Sequence, residues 1–414
     1  LLNPLFISAF VFAILIYGGF LKARDRHPFR SLIPAVSVSG LKGQIVSNPV
    51  QHSNGRFYSL ELSVEKSLSS LKGHSFESGA SGHVQCLLPS AMVESIYPGK
   101  LFSSFGKKMV VEKGESFILY GSFFDGLFIA SDGLYLEKND SLKDRLVHAR
   151  SFSRIQFKRL MFGWKKAGGF VLALLSGAKE YTDRKLTEDF RTAGLSHILA
   201  LSGMHLSFFA GLAGGTGKRL FGKKSSLLLR FLGIVFFVWF AGLSPSLFRA
   251  LLCSLMMLLC TAVFSLDADY FIVLCSVFLL HCTMIPKDIF SAAFILSYGA
   301  LAGILLFSDF FSLGLCPFIP NKISKSLSAS LGAQFATALA SVHMFGCLMP
   351  CGIVSTVVVS PMVSLFIFLS LVSIFLCLIL PFLAPLFGCI MNLFYEIIAA
   401  TVHVFAFVPP LSFK

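Results

Sequence analysis

The hydrophobic positions change their spacing once along the chain. Residues 4–21 are an uncharged apolar run followed by Lys22, Arg24, Arg26 and Arg30. Eighteen residues suffice to cross a bilayer. The charges flank the wrong end for a signal peptide, so the run predicts a retained membrane helix. Between 38 and 140 the period is two. Tyr58, Leu60, Leu62 and Val64 alternate with Ser59, Glu61, Ser63 and Glu65, and Val84, Cys86 and Leu88 alternate again, as half-buried strands do. Asn54-Gly55 predicts one hairpin and Ser131-Asp132-Gly133 a second. Short strands between turn signals predict a small barrel or sandwich. An OB-like barrel is the first choice and a generic β domain the alternative.

From 167 onward apolar runs dominate. Residues 167–177 are too few to cross a bilayer and predict a re-entrant or interfacial piece. Spans are predicted near 192–213, 226–243, 246–266, 270–285, 288–308, 329–350, 352–380 and 382–408, with Pro361 kinking or splitting the seventh and 310–330 lying along a surface. The predicted fold is a polytopic α-helical membrane protein with an N-terminal membrane helix (1–21) and an inserted small all-β, OB-like soluble domain (31–140). A basic amphipathic interfacial helix (141–166) and a polytopic helical domain (167–414) follow.

Composition agrees. Of 414 residues, 55% are hydrophobic and 14% charged, against about 25% charged in a soluble domain. An ordinary soluble enzyme and a disordered chain are excluded. The net charge is +14, of which +9 lies between 22 and 166. In 143–166 the cations include Arg150, Arg154, Lys158 and Arg159, interleaved with Phe152, Ile155, Phe157 and Trp164. Two readings stand for those four cations: contact with lipid headgroups, or contact with nucleic-acid phosphates. The short basic loops holding Lys218, Arg219, Lys223, Lys224 and Lys322, Lys325 are four predicted spans apart and fall on the cytoplasmic side by the positive-inside rule. One crossing away, the β domain falls outside.

Ionisable groups inside spans mark functional sites. His197, Ser202 and His205 are predicted on one span, Arg249 on a second and His281 on a third. Gln334, Thr337 and Ser341 share one helical face, as do Asn392, Glu396 and His403. These stripes predict either a wet cavity or interhelical bonding. Ser202 with His205 also invites an intramembrane serine hydrolase, although no G-x-S-x-G elbow is present. No metal cluster or phosphate loop occurs, so neither metal nor cofactor is expected. The ten Cys are expected to act as small hydrophobes.

The strings AGGFVLALLSG (167–177) and FRTAGLSHILALSGMHL (190–206) closely resemble the signature of the ComEC-type competence proteins. SPSLFRA (244–250), FILSYGALAGI (294–304), Ala333-Gln334, Phe345-Gly346 and Pro361 fit the same pattern in order. Thr356 departs from it, standing near where the family often has Asn. The resemblance implies a bacterial inner-membrane channel that passes single-stranded DNA during natural transformation, not an enzyme, with the OB-like domain on the outer side. It implies an outer DNA receptor and a cytoplasmic helicase as partners, besides membrane lipid and a possible second copy. Carried over by position, Gly194 and Gly203 are structural motif residues, and His197, Ser202, His205, Arg249 and, less directly, Gln334 are expected along the DNA path. Many members continue into a metallo-β-lactamase-like domain. None of its motifs is found here, so a short form is expected, with strand degradation left to another protein. The alternatives are the Ser202 hydrolase and a family member that has lost uptake.

Overall fold

Period-two alternation in the first third closes into a ring of strands. The computed structural model describes residues 4–17, 29–47, 49–51, 56–71, 74–93, 111–135, 141–262 and 269–412. They divide into two units, one of residues Asp25–Gly163, the other of Leu1–Arg24 with Trp164–Lys414.

The first unit contains β1 (Arg30–Ser31), β2 (Gly40–Ile45), β3 (Val50–Gln51), β4 (Phe57–Leu71), β5 (His74–Ser81), β6 (His83–Pro89), β7 (Ser116–Phe124) and β8 (Leu127–Tyr135). Neighbouring strands run β2-β4-β6-β8-β7 and back to β2, a closed ring in which only β6 and β8 are parallel. β5, with β1 beside it, extends one half of the long β4, and β3 pairs with its start. The alternation is realised as expected. Leu60, Leu62, Val64, Val84, Cys86 and Leu88 point inward with Leu41, Phe117, Leu119 and Phe128. Burial pushes the Cys86 thiol up to about 12.

Two bulges bend the ring. Glu65 is the extra residue opposite Lys42 and Gly43, and Ser131 the extra residue opposite Tyr120 and Gly121. At each, glycine is required by close approach. A Cβ on Gly43 would sit 2.2 Å from the Ser63 carbonyl oxygen, and one on Gly121 2.0 Å from that of Ile129. The expected hairpin at 131–133 is therefore corrected: Ser131-Asp132-Gly133 is a bulge inside β8. The turn is Asp125-Gly126, both at positive φ (47° and 76°), as a two-residue hairpin demands. Asn54-Gly55 lies outside the described residues, though the flanking Val50–Gln51 does pair with Ser59 and Tyr58.

Helix α1 (Pro4–Tyr17) belongs to the other unit and α2 (Leu142–Phe162) to the β unit. α2 is seated on the turn before β7. A Cβ on Gly114 would lie 3.1 Å from Val147, and Glu112 takes Arg154 Nε at 2.9 Å and Lys158 Nζ at 2.7 Å. Arg154, Lys158 and Arg159 are buried at 2%, 6% and 0% exposure. The expectation of a basic helix offering these cations to headgroups or DNA is thus corrected. A buried carboxylate absorbs two of them, and the helix is part of the β unit. Lys165 and Lys166 open a separate helix.

That helix, α3 (Lys165–Ser176), resumes the unit to which α1 belongs and is buried from Ala167 to Ser176. After it come α4 (Arg184–Thr192), α5 (Ser196–Leu199), α6 (Gly203–Ala241), α7 (Pro245–Ala262), α8 (Tyr270–Met284), α9 (Ala292–Leu315), α10 (Asn321–Phe345), α11 (Gly352–Ile379) and α12 (Ala384–Ala406). Among the described residues, three segments are long and apolar enough to cross a membrane: Ala292–Leu315, Gly352–Ile379 and Pro381–Ala406. Exposed Phe10, Phe236, Leu339, Phe375, Leu393 and Val404 coat the helices, a surface suited to lipid rather than water.

Two expectations change. The span at 192–213 is broken: the chain leaves helix at 193–195 and again at 200–202. α6 is a hairpin, because Gly222 (φ 86°) reverses it. Its arms meet where Phe209 stacks on Phe237 (4.4 Å) and Ser226 Oγ donates to the Gly214 carbonyl (2.8 Å). Residues 310–330 do not lie along a surface as one piece. They are the end of α9, a short turn and the start of α10. These two helices pack backbone to backbone, a Cβ on Gly303 falling 2.3 Å from the Gly332 carbonyl oxygen. α11 is one helix through Pro361.

Candidate functional site

The broken segment 193–203 is where helix ends converge. α4 closes on Ala193 and Gly194, the latter at φ 74°. A Cβ on Gly194 would lie 2.8 Å from Gly352 Cα and 3.0 Å from Met349 Cβ, so this turn rests on the start of α11. Ser355 Oγ donates to the Ala193 carbonyl (2.8 Å) and Gln334 Nε2 to the Met349 carbonyl. Eight residues on, Leu201 packs on the C-cap of α3, since a Cβ on Gly177 would lie 3.0 Å from Leu201 Cδ1. The Leu201 carbonyl accepts from Ser246 Oγ at the start of α7 (2.8 Å). Backbone outside helices is tolerated at membrane depth only where protein or a wet cavity satisfies it. Side chains of three helices supply these bonds.

Ser202 has extended backbone (φ −129°, ψ 174°) and caps α6. Its backbone N–H donates to His205 Nδ1 (3.3 Å), and its hydroxyl lies 3.2 Å from the same atom. With His205 at the third helical position this is a capping box, His standing where Glu or Gln usually does. The expectation of Ser202 and His205 within one continuous span is corrected: they are the helix start. Because Nδ1 accepts, Nε2 carries the proton. That Nε2 is buried and has no partner among the described residues.

Arg249 lies beside the cap. A Cβ on Gly203 would be 3.4 Å from Ala250 Cβ and 3.9 Å from Arg249 Nη2. The guanidinium donates to the Ser297 carbonyl of α9, and its centre lies 5.8 Å from the Tyr298 ring centroid. No carboxylate pairs with it among the described residues. Tyr298 continues inward: its hydroxyl is 3.2 Å from His281 Nδ1, and His281 Nε2 is 3.2 Å from Asp288 Oδ2. A polar chain therefore runs Asp288–His281–Tyr298–Arg249 to the start of α6.

The geometry brings Ser202, Gly203, His205 and Arg249 into one place and joins Gly194 to Gln334 through Met349 and Gly352. His197 stands on the exposed side of α5 with its imidazole on the Gly194 backbone. The Asn392/Glu396/His403 face is divided. Asn392 holds the start of α3, accepting from Ala167 N and donating to the Trp164 carbonyl, while His403 Nδ1 pairs with Asp189 (2.9 Å) and Glu396 is exposed. Sequence reasoning missed Ser246, Tyr298, Asp288, Ser355 and Glu112. Ser246 and Tyr298 sit inside strings already singled out, so their motif membership was the available signal. Glu112 had none. Among the described residues no group of His, Cys, Asp and Glu is arranged to hold a metal.

The fold is mainly helical with a β-rich N-terminal region, and three described helices are long and apolar enough to cross a membrane, as in a membrane protein. Residues 174–413, more than half of the chain, match the family described as Competence protein. The chain belongs to this ComEC/Rec2-type competence family. No curated protein and no solved structure matches it.

Proposed function

We propose that this protein is the inner-membrane conduit for single-stranded DNA in natural transformation. The observation that carries the reading is the junction at 193–203: broken backbone and, beside it, two buried donors (His205 Nε2 and Arg249 Nε) without partners and a cation with no carboxylate among the described residues, all within the stretch 174–413 that matches the family. A polyanion in transit needs such a lining, since a lone buried cation is costly without an anion or water. The ring order of the β unit, with its single parallel pair, supports an OB-like domain. The loop charges support an outer position for it. No motor or catalytic step is assigned to this chain, so an outer DNA receptor and a cytoplasmic helicase are the partners in this reading.

The test is transformation with radiolabelled duplex DNA in a deletion strain, with and without the gene restored. Uptake of label into the cytoplasm should disappear on deletion and return on restoration. Undiminished uptake in the deletion strain would end the reading.

A further inference from the structure

We propose that the exposed face of α4 is the surface on which the DNA backbone lands before it enters the junction. The inference rests on the conduit reading and adds to it a place of capture.

α4 has two faces. Leu186 and Phe190 are buried at 3% and 0% exposure, and the Phe190 ring lies 5.8 Å from that of Phe170 in α3. On the opposite side, at about 100° per residue, stand Arg184, Lys185, Glu188 and Arg191, all exposed. The helix's other acids are occupied. Asp183 accepts from Lys185 N at the cap and pairs with Lys166 (3.3 Å), and Asp189 is turned to His403. Arg184, Lys185 and Arg191 have no acidic partner within 4 Å among the described residues, and Glu188 is the one acid among them. Two of these cations occupy the first turn, where the helix dipole disfavours positive charge, so they are not there for helix stability.

A membrane-surface helix works by inserting its apolar face among acyl chains. α4 has none to insert, because Leu186 and Phe190 are already spent on the bundle. Its charged face therefore looks onto water, two residues from Ala193 and Gly194. A phosphodiester chain is the occupant that fits net positive charge, water access and that position.

The test uses the full chain in nanodiscs of zwitterionic lipid and a fluorescein-labelled oligothymidylate. Single-stranded binding loses about 0.7 in the slope of log K against log salt per phosphate contact. The triple variant Arg184→Gln, Lys185→Gln, Arg191→Gln should lower the slope by about 2 and weaken binding about a hundredfold at 0.1 M salt. Glu188→Gln should tighten it. If the triple variant does not fold, the sign of the Glu188→Gln effect decides. Unchanged affinity and slope in a folded triple variant, or no tightening by Glu188→Gln, overturns the proposal. So does loss of co-purifying phosphatidylglycerol by native mass spectrometry with DNA binding intact, which would make the face a headgroup site. Dispensability of the protein for transformation would end the conduit reading without touching the slope result. An unchanged slope in a protein that transformation requires would end only this inference.

Discussion

α2 and α4 are both basic helices, and they use their charge in opposite ways. In α2, Arg154 and Lys158 close on Glu112 inside the protein. In α4, Arg184, Lys185 and Arg191 stand in the open with Glu188 the one exposed acid among them, while Asp189 is turned to His403. Charge density alone ranks α2 first as a DNA contact. What separates them is a single carboxylate 42 residues before Arg154, which converts a presented charge into a structural one. A cation can hold the fold or meet a ligand, and burial decides which.

The sharpest way to break this comparison is to remove Glu112. Burial alone would raise its carboxyl, but Lys158 and Arg154 outweigh burial and hold it at about 2, below the ordinary 4.5. Glu112→Gln strands two buried cations and should destabilise the β unit by about 3–5 kcal/mol, read as accelerated proteolysis of that unit in the full chain. The pH dependence follows. A depressed carboxyl contributes stability that is complete above its unfolded value and is lost as pH falls through its folded value. As far as Glu112 is concerned, protection of the wild-type β unit should therefore hold from pH 7 to about 4.5, decline steadily below that, and lose this contribution entirely near 2. The same decline in Glu112→Gln as in the wild type between pH 4.5 and 2 would show that the triad is not closed in solution.

Two signature glycines extend the contrast between holding and presenting. Gly194 has positive φ and meets Gly352 at a distance no Cβ tolerates. Gly194→Ala combines left-handed strain with overpacking and should cost about 2–4 kcal/mol, measured as loss of folded, membrane-inserted protein. Gly203 has ordinary van der Waals room, so Gly203→Ala should insert and fold normally. Equal behaviour of the two would remove the close packing of 193–194 on α11.

In the proposed conduit, Arg249 would be the cation on the presenting side within the bundle. Arg249→Leu should abolish passage of labelled DNA while leaving binding at the outer surface, and Arg249→Lys should restore part of it, since the Ser297 carbonyl needs only one donor. Tyr298→Phe keeps the ring beneath the guanidinium and loses the His281 contact. A milder loss is expected. Normal transport in Arg249→Leu would take this residue off the path.

Much of this was legible in sequence where one period dominates. Leu60, Leu62 and Val64 alternate because their strand has one wet face, and the barrel interior followed from them. The apolar runs gave the helices of the second unit. What failed were breaks and pairings. Ser131-Asp132-Gly133 has hairpin composition, but a bulge also favours an extra small residue, and only pairing with β7 tells them apart. The interruption at 200–202 is invisible to a hydropathy window, because Ala200 and Leu201 are apolar whether or not they are helical. Ser202 was a nucleophile candidate for the same reason: a helix cap and an active serine use the same residue type, and long-range contacts to Ser246 and Ala250 decide the geometry.

The smallest predicted effect separates the two roles of Ser202. As a cap it contributes about 1 kcal/mol, so Ser202→Ala should lower stability slightly and reduce DNA uptake only in proportion to folded protein. As a hydrolase nucleophile its loss would abolish activity outright. His205 gives the complementary test. Its Nδ1 accepts from the Ser202 backbone, a task a Gln side-chain oxygen performs in an ordinary capping box. His205→Gln should therefore retain stability where His205→Leu does not, and a general base replaced by Gln would be inactive. Retained uptake in His205→Gln, with no labelling of Ser202 by a fluorophosphonate probe, would fix the pair as a device that starts α6 beside Arg249. Labelling of Ser202 would move the pair to the presenting side and return the hydrolase reading.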